Sequence, residues 1–293
     1  MMIESIGRVR AFSSLVKLSH TVFALPFAAS AVVLAIGRPH VPLTLGRAMA
    51  MLGAMVAART AAMAYNRYLD RDIDGENPRT RDREVPRGIV SPRAALALTI
   101  GASVAFVGSA AMLGSWPLLL APPVLLVLLG YSWTKRFTWA SHLVLGLALA
   151  LAPGGAWIAM GARPEPAILA LMLAVITWVG GFDVLYSLQD EHFDRDHGLH
   201  SIPARFGTGA AVVVSGALHV VTVIALALAG AWLSRGSAFF AGVGLVASLL
   251  AYEHALVGRG NLDKIDRAFF DINGYVSCGF FALTALDAWL MGS

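Results

Sequence analysis

The chain has 293 residues, of which 57% are hydrophobic and only 14% are charged, and its mean hydropathy is +0.70. This composition excludes an ordinary soluble protein and is typical of a polytopic membrane protein. The formal net charge is +4, but the basic residues fall in short loops between apolar segments, so we expect no nucleic acid partner. The single cysteine, Cys278, excludes an intrachain disulfide.

Apolar segments follow one another along the whole chain, separated by short stretches rich in Gly, Pro and charged residues. Each is long enough to cross a bilayer as a helix, which takes about 17 to 25 residues. We predict an all-α fold, with one domain over residues 1–293 and about nine transmembrane helices around a central cavity that opens to the cytoplasmic side. The predicted segments are 20–37, 46–69, 93–113, 116–133, 139–160, 166–187, 208–233, 236–257 and 268–291.

The distribution of Lys and Arg predicts the orientation of these helices. With nine spans, most of the 22 basic residues fall at the N-terminus and in the even-numbered loops. Cytoplasmic loops carry the excess of Lys and Arg, so the N-terminus should be cytoplasmic. We expect an integral membrane protein in contact with lipid, in a bacterial inner (cytoplasmic) membrane. Four basic residues fall on the opposite side: Arg38, Arg47, Arg163 and Arg235.

The first acidic motif lies at the end of the second apolar segment. It places Asn66, Asp70 and Asp74 at positions i, i+4 and i+8, which share one face if the helix is continuous. Carboxylates are costly near hydrocarbon, so this placement indicates a function. Oxygen ligands suit a hard cation such as Mg²⁺, which leaves coordination positions open for water or phosphate.

The second acidic motif, Asp183, Asp190 and Asp194, has the spacing i, i+7 and i+11 at the end of the sixth segment. The predicted topology places it on the same cytoplasmic face as the first. The two motifs together predict a magnesium-dependent pyrophosphate site. A cation-coupled secondary transporter is the alternative, but transporters bind ions near the bilayer midplane and are built from repeats, and the chain has no convincing two-half repeat.

Basic loops follow both acidic motifs and offer donors to phosphate oxygens. Arg79 lies in the first loop, within GENPRTRDREVPRG, and His200 lies in the second, within RDHGLHSIPARFG. Positive loops are also required by topology alone, so both interpretations stay open. Between the motifs, Tyr131 and Lys135 are one helical turn apart in YSWTK, where a tyrosine can also be a simple interface anchor.

Three stretches, NRYLDRDIDGENPRT, YSWTK and DVLYSLQDEHFD, occur in this order and together resemble the UbiA superfamily of intramembrane aromatic prenyltransferases. The shorter stretches KLSHTVFALPFA and IDRAFFDINGYVS look most like its quinone-pathway branch, which contains 4-hydroxybenzoate polyprenyltransferases and MqnP-type enzymes. One departure is Arg67, where many relatives have Asp. An arginine cannot bind a metal, but it can bind phosphate or an acceptor carboxylate.

The resemblance implies the transfer of a polyprenyl group from its diphosphate to a small aromatic acceptor of ubiquinone or menaquinone biosynthesis, 4-hydroxybenzoate or 1,4-dihydroxy-6-naphthoate. A prenyltransferase of the same superfamily with another acceptor is the alternative. It implies Mg²⁺ held by Asn66, Asp70, Asp74, Asp190 and Asp194, with Lys135 and Tyr131 beside the leaving group. Asp183 would orient the acceptor hydroxyl or accept a proton. The remaining substrate-binding candidates are Arg59, Arg67, Arg79, Arg136, His200 and Asn273.

Several of these assignments have a structural alternative. Arg59 lies deep in the second segment, where it binds either substrate or a structural partner. Asn273 either faces the acceptor or hydrogen-bonds within the bundle. The histidines of the apolar segments lack metal-ligand spacing, so we expect His20, His142, His219 and His254 to be packed. The aromatic residues could stabilise an allylic cation but are expected mainly to pack: Phe23, Phe27, Trp157, Trp178, Phe182 and Tyr186.

Overall fold

The computed structural model describes Leu15 and residues 21–36, 42–257 and 268–292. All regular secondary structure in these ranges is helical. A 3₁₀ turn at Ser187–Asp190 and a π-helical turn at Ala268–Ile272 accompany the α-helices. The α-helices are α1 (Thr21–Ala35), α2 (Leu45–Leu69), α3 (Arg71–Glu76), α4 (Pro92–Leu113), α5 (Ser115–Thr134), α6 (Ser141–Ala159), α7 (Pro166–Tyr186), α8 (Glu191–Asp196), α9 (Ile202–Trp232), α10 (Ser237–Val257) and α11 (Asn273–Leu290).

The predicted all-α membrane fold is confirmed. Within the described ranges, seven helices are long and apolar enough to cross a bilayer, and the protein is therefore an integral membrane protein. Each predicted segment contains at least one helix, but α1 has only 15 residues. The count of nine spans and the side on which a cavity opens stay predictions. The N-terminal basic residues and the basic loop at 258–267 lie outside the described residues.

The described residues form two compact units. Among the described residues, the first unit comprises Leu15, Thr21 and residues 44–133, and the second comprises residues 22–36, 42–43, 134–257 and 268–292. In the first unit α2 packs along α4, and in the second α7 packs against both α6 and α9. Each unit contains one acidic motif. The prediction that residues 1–293 act as one domain stays a prediction.

Serine hydroxyls start two helices beside the acidic motifs. Ser91 Oγ accepts a hydrogen bond from the Ala94 backbone N–H at 3.1 Å, and Pro92 occupies the first turn of α4. Ser201 Oγ accepts from the Ala204 N–H at 3.3 Å in the same way. Such caps satisfy N–H groups that a helix leaves unpaired. They set the points at which the two basic loops end.

The second unit is built around α7, most of whose side chains are buried. A β-carbon at Gly146 of α6 would collide with the Ile176 carbonyl oxygen of α7, so the two backbones touch. On another side of α7, Gly181 leaves room for the His219 ring of α9. Small residues at helix contacts let transmembrane helices approach closely. The close packing holds α7, which carries Asp183, between its neighbours.

The first unit folds the basic loop back onto its helices. Val85 and Val90 of this loop pack with Ala64 of α2 and Ala95 of α4 in one buried cluster, joined by Leu15. The Thr80 hydroxyl donates to the Asp74 carbonyl oxygen at 3.1 Å. The loop is therefore attached through both apolar and polar contacts.

Neither acidic motif lies on one regular α-helix, and the expectation of a straight three-residue stripe was too simple. α2 ends at Leu69, and Asp70 (φ −91°, ψ 4°) separates it from α3. In the second motif, the 3₁₀ turn Ser187–Asp190 stands between Asp183 and Asp194. A 3₁₀ turn has three residues per turn rather than 3.6, so it rotates the residues that follow.

Candidate active site

Asn66 and Asp70 contact each other in the first unit. Asn66 Nδ2 donates to Asp70 Oδ2 at 2.6 Å, and a longer contact of 3.4 Å joins it to Ser132 Oγ on α5. The Asn66 side-chain oxygen accepts from Arg67 Nη1 at 3.2 Å. The i→i+4 spacing, read from the sequence, thus produces a real contact between the first two predicted metal ligands.

Asp74 is buried and paired with Arg83. Arg83 Nη1 lies 2.7 Å from Asp74 Oδ1 and 2.8 Å from Oδ2, so one guanidinium nitrogen bridges both oxygens. Only 5% of Asp74 is exposed. A carboxylate this buried needs such a partner, because desolvation of an unpaired charge is expensive. A metal ion or phosphate that entered would compete with this ion pair.

Arg67 is almost fully buried, with 2% of its surface exposed. Among the described residues, no acceptor reaches its Nε. A buried donor without an acceptor suits an anionic ligand. Tyr131, near the end of α5, lies within electrostatic range of both Arg67 and Arg59. The first unit therefore gathers two predicted substrate-binding arginines around a predicted catalytic tyrosine.

The second unit also contains a buried aspartate that is paired with a basic side chain. Asp194 on α8 is completely buried, and Lys135 Nζ lies 2.7 Å from its Oδ1. The Lys135 backbone carbonyl accepts the His200 N–H at 2.7 Å, which attaches the second basic loop to the same point. Asp190, at the end of the 3₁₀ turn, is 4% exposed. One unit thus contains four of the predicted site residues: Lys135, Asp190, Asp194 and His200.

Asp183 is bound by a histidine. His142 Nδ1 of α6 lies 2.7 Å from Asp183 Oδ2, and the His142 side chain is 3% exposed while that of Asp183 is 25% exposed. The carboxylate therefore has one face against the packed helices and another that is open. This exposure distinguishes Asp183 from the buried residues that surround it on α7.

The donor set fits Mg²⁺ in its chemistry. Every predicted ligand is an oxygen donor, and hard cations select oxygen. The buried Asp194 carboxylate already interacts with Lys135 and with the Ser201 hydroxyl, so a metal ion bound there would share it with these groups. Within the described ranges, no three His, Cys, Asp or Glu side chains are gathered closely enough to hold a metal ion. Mg²⁺ is commonly bound by one or two carboxylates completed by substrate phosphate, so this arrangement remains compatible with it.

The other predicted substrate-binding residues differ in their burial. Arg79 has an exposed side chain, and Arg136 is partly exposed beside Lys135. Asn273 is fully buried; its Oδ1 accepts from Trp178 Nε1 at 2.7 Å and its Nδ2 donates to Glu253 Oε1 at 2.9 Å. These hydrogen bonds agree with the alternative that Asn273 binds within the helix bundle and does not face the acceptor.

His142 is the residue that sequence reasoning missed, because it was expected to be packed without a role. No spacing in the sequence links it to Asp183, 41 residues away. The aromatic residues mostly pack on one another: the ring centroids of Phe27 and Trp178 are 5.0 Å apart, and those of Trp178 and Phe182 are 5.2 Å apart. This packing accords with the expectation for them.

The fold and these residues define a class: an integral membrane protein with acidic motifs at the ends of its helices, in which buried aspartates are paired with basic side chains. Residues 24–277 match the UbiA prenyltransferase family, and the chain belongs to that family. The protein is therefore a membrane prenyltransferase, as the sequence motifs predicted.

Proteins similar to this chain include 4-hydroxybenzoate octaprenyltransferases. That of Aeromonas hydrophila is 33% identical over 227 residues, which cover 76% of this chain and 77% of the relative. That of Vibrio cholerae is 29% identical over 231 residues, or 79% of this chain and 81% of the relative. Identity at this level over most of both chains agrees with the prenyltransferase assignment.

Solved structures agree with the fold. The apo structure of a UbiA homolog from Aeropyrum pernix K1 has a TM-score of 0.83 and 35% identity, and the match covers 92% of this chain and 98% of that one. A UbiA homolog from Archaeoglobus fulgidus, solved with GPP and Mg²⁺, has a TM-score of 0.71 at 19% identity, with coverage of 94% and 99%. The second similarity supports the fold alone.

Proposed function

We propose that this prenyltransferase moves a polyprenyl group from a polyprenyl diphosphate to an aromatic hydroxy acid that is a quinone precursor, of the 4-hydroxybenzoate or 1,4-dihydroxy-6-naphthoate type. The observation that carries the proposal is the repeated pairing of a buried aspartate with a basic side chain. Asp74 pairs with Arg83, and Asp194 pairs with Lys135. The names of the relatives support the acceptor class.

The basic partners are suited to hold the diphosphate. Arg83 and Lys135 each carry donors that now serve a carboxylate, and both side chains remain partly exposed. Arg67 keeps a buried Nε without an acceptor among the described residues. Charge-assisted hydrogen bonds from such groups to phosphate oxygens stabilise the negative charge that develops on a departing diphosphate.

Magnesium would be held by the carboxamide and carboxylate oxygens of both motifs. When bound, Mg²⁺ supplies charge neutralisation at the phosphate oxygens and so eases departure of the leaving group. The residues proposed to hold it are Asn66, Asp70, Asp74, Asp190 and Asp194. We also propose that residues 1–293 act as one functional domain.

The acceptor needs groups for its hydroxyl and its carboxylate. The open face of Asp183 suits the hydroxyl, because a carboxylate accepts hydrogen bonds or a proton from a phenol. Arg59 and Arg136 are the candidates for the carboxylate, because a guanidinium matches its planar geometry. The apolar surroundings of the helices suit a prenyl tail and limit the access of water to a reactive cation.

The test is an assay of the purified protein in detergent with Mg²⁺, geranyl diphosphate and a panel containing 4-hydroxybenzoate and dihydroxynaphthoates, with products detected by mass. We expect one acceptor class to gain a geranyl group. The Arg59→Ala and Arg136→Ala variants identify the carboxylate ligand through a raised acceptor KM. No alkylated product with any acceptor contradicts the proposal, and an unchanged acceptor KM in both variants removes the carboxylate assignment.

A further inference from the structure

His142 and Asp183 form an isolated polar pair between α6 and α7. The Asp183 carboxylate has one partner in the described part of the chain, His142 Nδ1 at 2.7 Å from Oδ2. The side chain that carries the other oxygen, Oδ1, is 25% exposed. Tyr186 and Gln189, three and six residues further on, are also partly exposed. The carboxylate therefore faces accessible space and not the packed core.

A backbone N–H group determines where the imidazole carries its proton. The Ile202 N–H, in the first turn of α9, donates to His142 Nε2 at 3.3 Å. A nitrogen that accepts a hydrogen bond carries a lone pair, so the proton of the neutral ring is on Nδ1, and Nδ1 donates to Asp183. A doubly protonated ring would place two N–H donors against each other at Ile202. Three elements, α6, α7 and α9, thus meet at one imidazole.

We propose that His142 is a positioning residue for prenyl transfer. Its Nδ1–H holds Asp183 Oδ2, so that Oδ1 is aimed at the ring hydroxyl of the aromatic acceptor. The inference rests on the proposed function and adds the residue that orients the acceptor-binding carboxylate. A ring held on both nitrogens and buried to 97% has little freedom to rotate, so the carboxylate it holds keeps its direction.

The reaction balances with Asp183 as the temporary proton acceptor. The hydroxyl proton moves to Oδ1 and leaves a phenolate. The ring carbon beside the oxygen bonds to the allylic carbon, while the C–O bond of the donor breaks and its electron pair leaves with the diphosphate. The ring carbon then releases its proton to water, and the electron pair of that C–H bond restores the aromatic ring as the ring oxygen recovers the proton from Asp183.

His219 provides a matched control. It is also a buried histidine that packs against α7, and its Nε2 lies 3.4 Å from the Trp178 carbonyl oxygen. Its described partners do not include Asp183; its Nδ1 instead contacts His254 Nε2 at 3.0 Å. A substitution here disturbs the packing of the same helix but leaves the Asp183 carboxylate with its partner.

The first experiment compares His142→Asn, His142→Leu and His219→Asn in the prenyl-transfer assay, normalised to folded protein by size exclusion. Asparagine can place an N–H near the position of Nδ1, whereas leucine fills similar space without a donor. We expect His142→Leu to lower kcat on the order of 10-fold to 100-fold with the KM for the diphosphate unchanged, by analogy with the loss of residues that orient metal ligands. His142→Asn should recover most of this loss, and His219→Asn should keep the wild-type kcat.

The second experiment does not depend on turnover. The second measurement is NMR of ¹⁵N-histidine-labelled protein in lipid, in which His142 is assigned as the imidazole signal that disappears in His142→Asn. We expect this signal to show the proton on Nδ1. A His142 signal with the proton on Nε2 overturns the inference. A wild-type kcat in His142→Leu also overturns it, as do equal losses of kcat in His142→Leu and His142→Asn. A wild-type protein without any prenyl transfer instead contradicts the proposed function, so the two failures are distinguishable.

Discussion

The ion pair between Lys135 and Asp194 joins a lysine side chain that is 36% exposed to an aspartate side chain with no exposed surface. Removal of the ammonium leaves a buried charge without its partner, which costs more than the pair contributes. We expect Lys135→Met to lower the free energy of unfolding by about 2 to 3 kcal/mol, allowing for the partial solvent exposure of the lysine. Heat- or denaturant-induced unfolding in detergent measures the change.

A less buried pair of the same length is the control; 14% of the Glu191 side chain is exposed, whereas Asp194 has no exposed surface. Arg195 Nη2 lies 2.7 Å from Glu191 Oε1, but 52% of the arginine side chain is exposed. Surface ion pairs contribute about 0 to 1 kcal/mol, so Arg195→Met should change stability little. Equal destabilisation by the two substitutions would show that burial of Asp194 does not determine the cost.

The sequence indicated most of the candidate site residues but few of the residues that they contact. The spacing of Asn66 and Asp70 predicted their contact, because i and i+4 are neighbours on a helix. The choice of Arg83 as the partner of Asp74 was not predictable, since the loop contains several arginines. The pairing of His142 with Asp183 depends on tertiary packing, which no local pattern records.

At the scale of elements, α9 contains a break that only glycine accommodates. Gly207 has φ 82° and ψ 166°, a conformation closed to residues with a β-carbon. We expect Gly207→Ala to cost about 1 to 3 kcal/mol of unfolding free energy. Gly209→Ala, two residues on in open space, is the control and should be neutral or slightly stabilising. Equal effects would mean that the break is not required.

The close contact between α6 and α7 can be tested by replacing a glycine, with another glycine of α6 as the control. At Gly146 an added methyl group meets the Ile176 backbone carbonyl, which cannot move aside as a side chain can. Gly146→Ala should therefore destabilise the protein by about 1 to 3 kcal/mol, as judged by its unfolding midpoint in detergent. Gly155→Ala on the same helix meets no atom within 4 Å and should have little effect. A stable Gly146→Ala variant would contradict this close helix contact.

Helix positions were predictable from hydropathy, and helix irregularities were not. The predicted segment 166–187 matches Pro166–Tyr186 nearly to the residue, because proline and the polar motif both mark its ends. The break at Asp70 and the 3₁₀ turn Ser187–Asp190 interrupt motifs that local spacing treats as continuous helix. Both breaks occur at predicted metal ligands, where local regularity is commonly sacrificed for function.

The distribution of Lys and Arg along the chain predicts the membrane orientation of the protein, which can be tested by labelling. Arg81 lies in an exposed part of the first basic loop and Arg163 in an exposed loop before α7. In a Cys278→Ala background, we expect Arg163→Cys, but not Arg81→Cys, to react with a membrane-impermeant maleimide added outside intact cells. The opposite pattern would invert the orientation and place the first acidic motif outside.

Each of the two units carries one acidic motif and one basic partner for it, and we expect both motifs to be required for metal-dependent prenyl transfer. The most direct measurement is the rate of prenyl transfer to the preferred acceptor by wild-type protein, Asp70→Asn and Asp190→Asn, with Mg²⁺ and with EDTA. We expect EDTA to abolish wild-type turnover and each variant to lose on the order of 100-fold or more in kcat. Full activity in either variant, or wild-type turnover that EDTA does not reduce, would contradict the account.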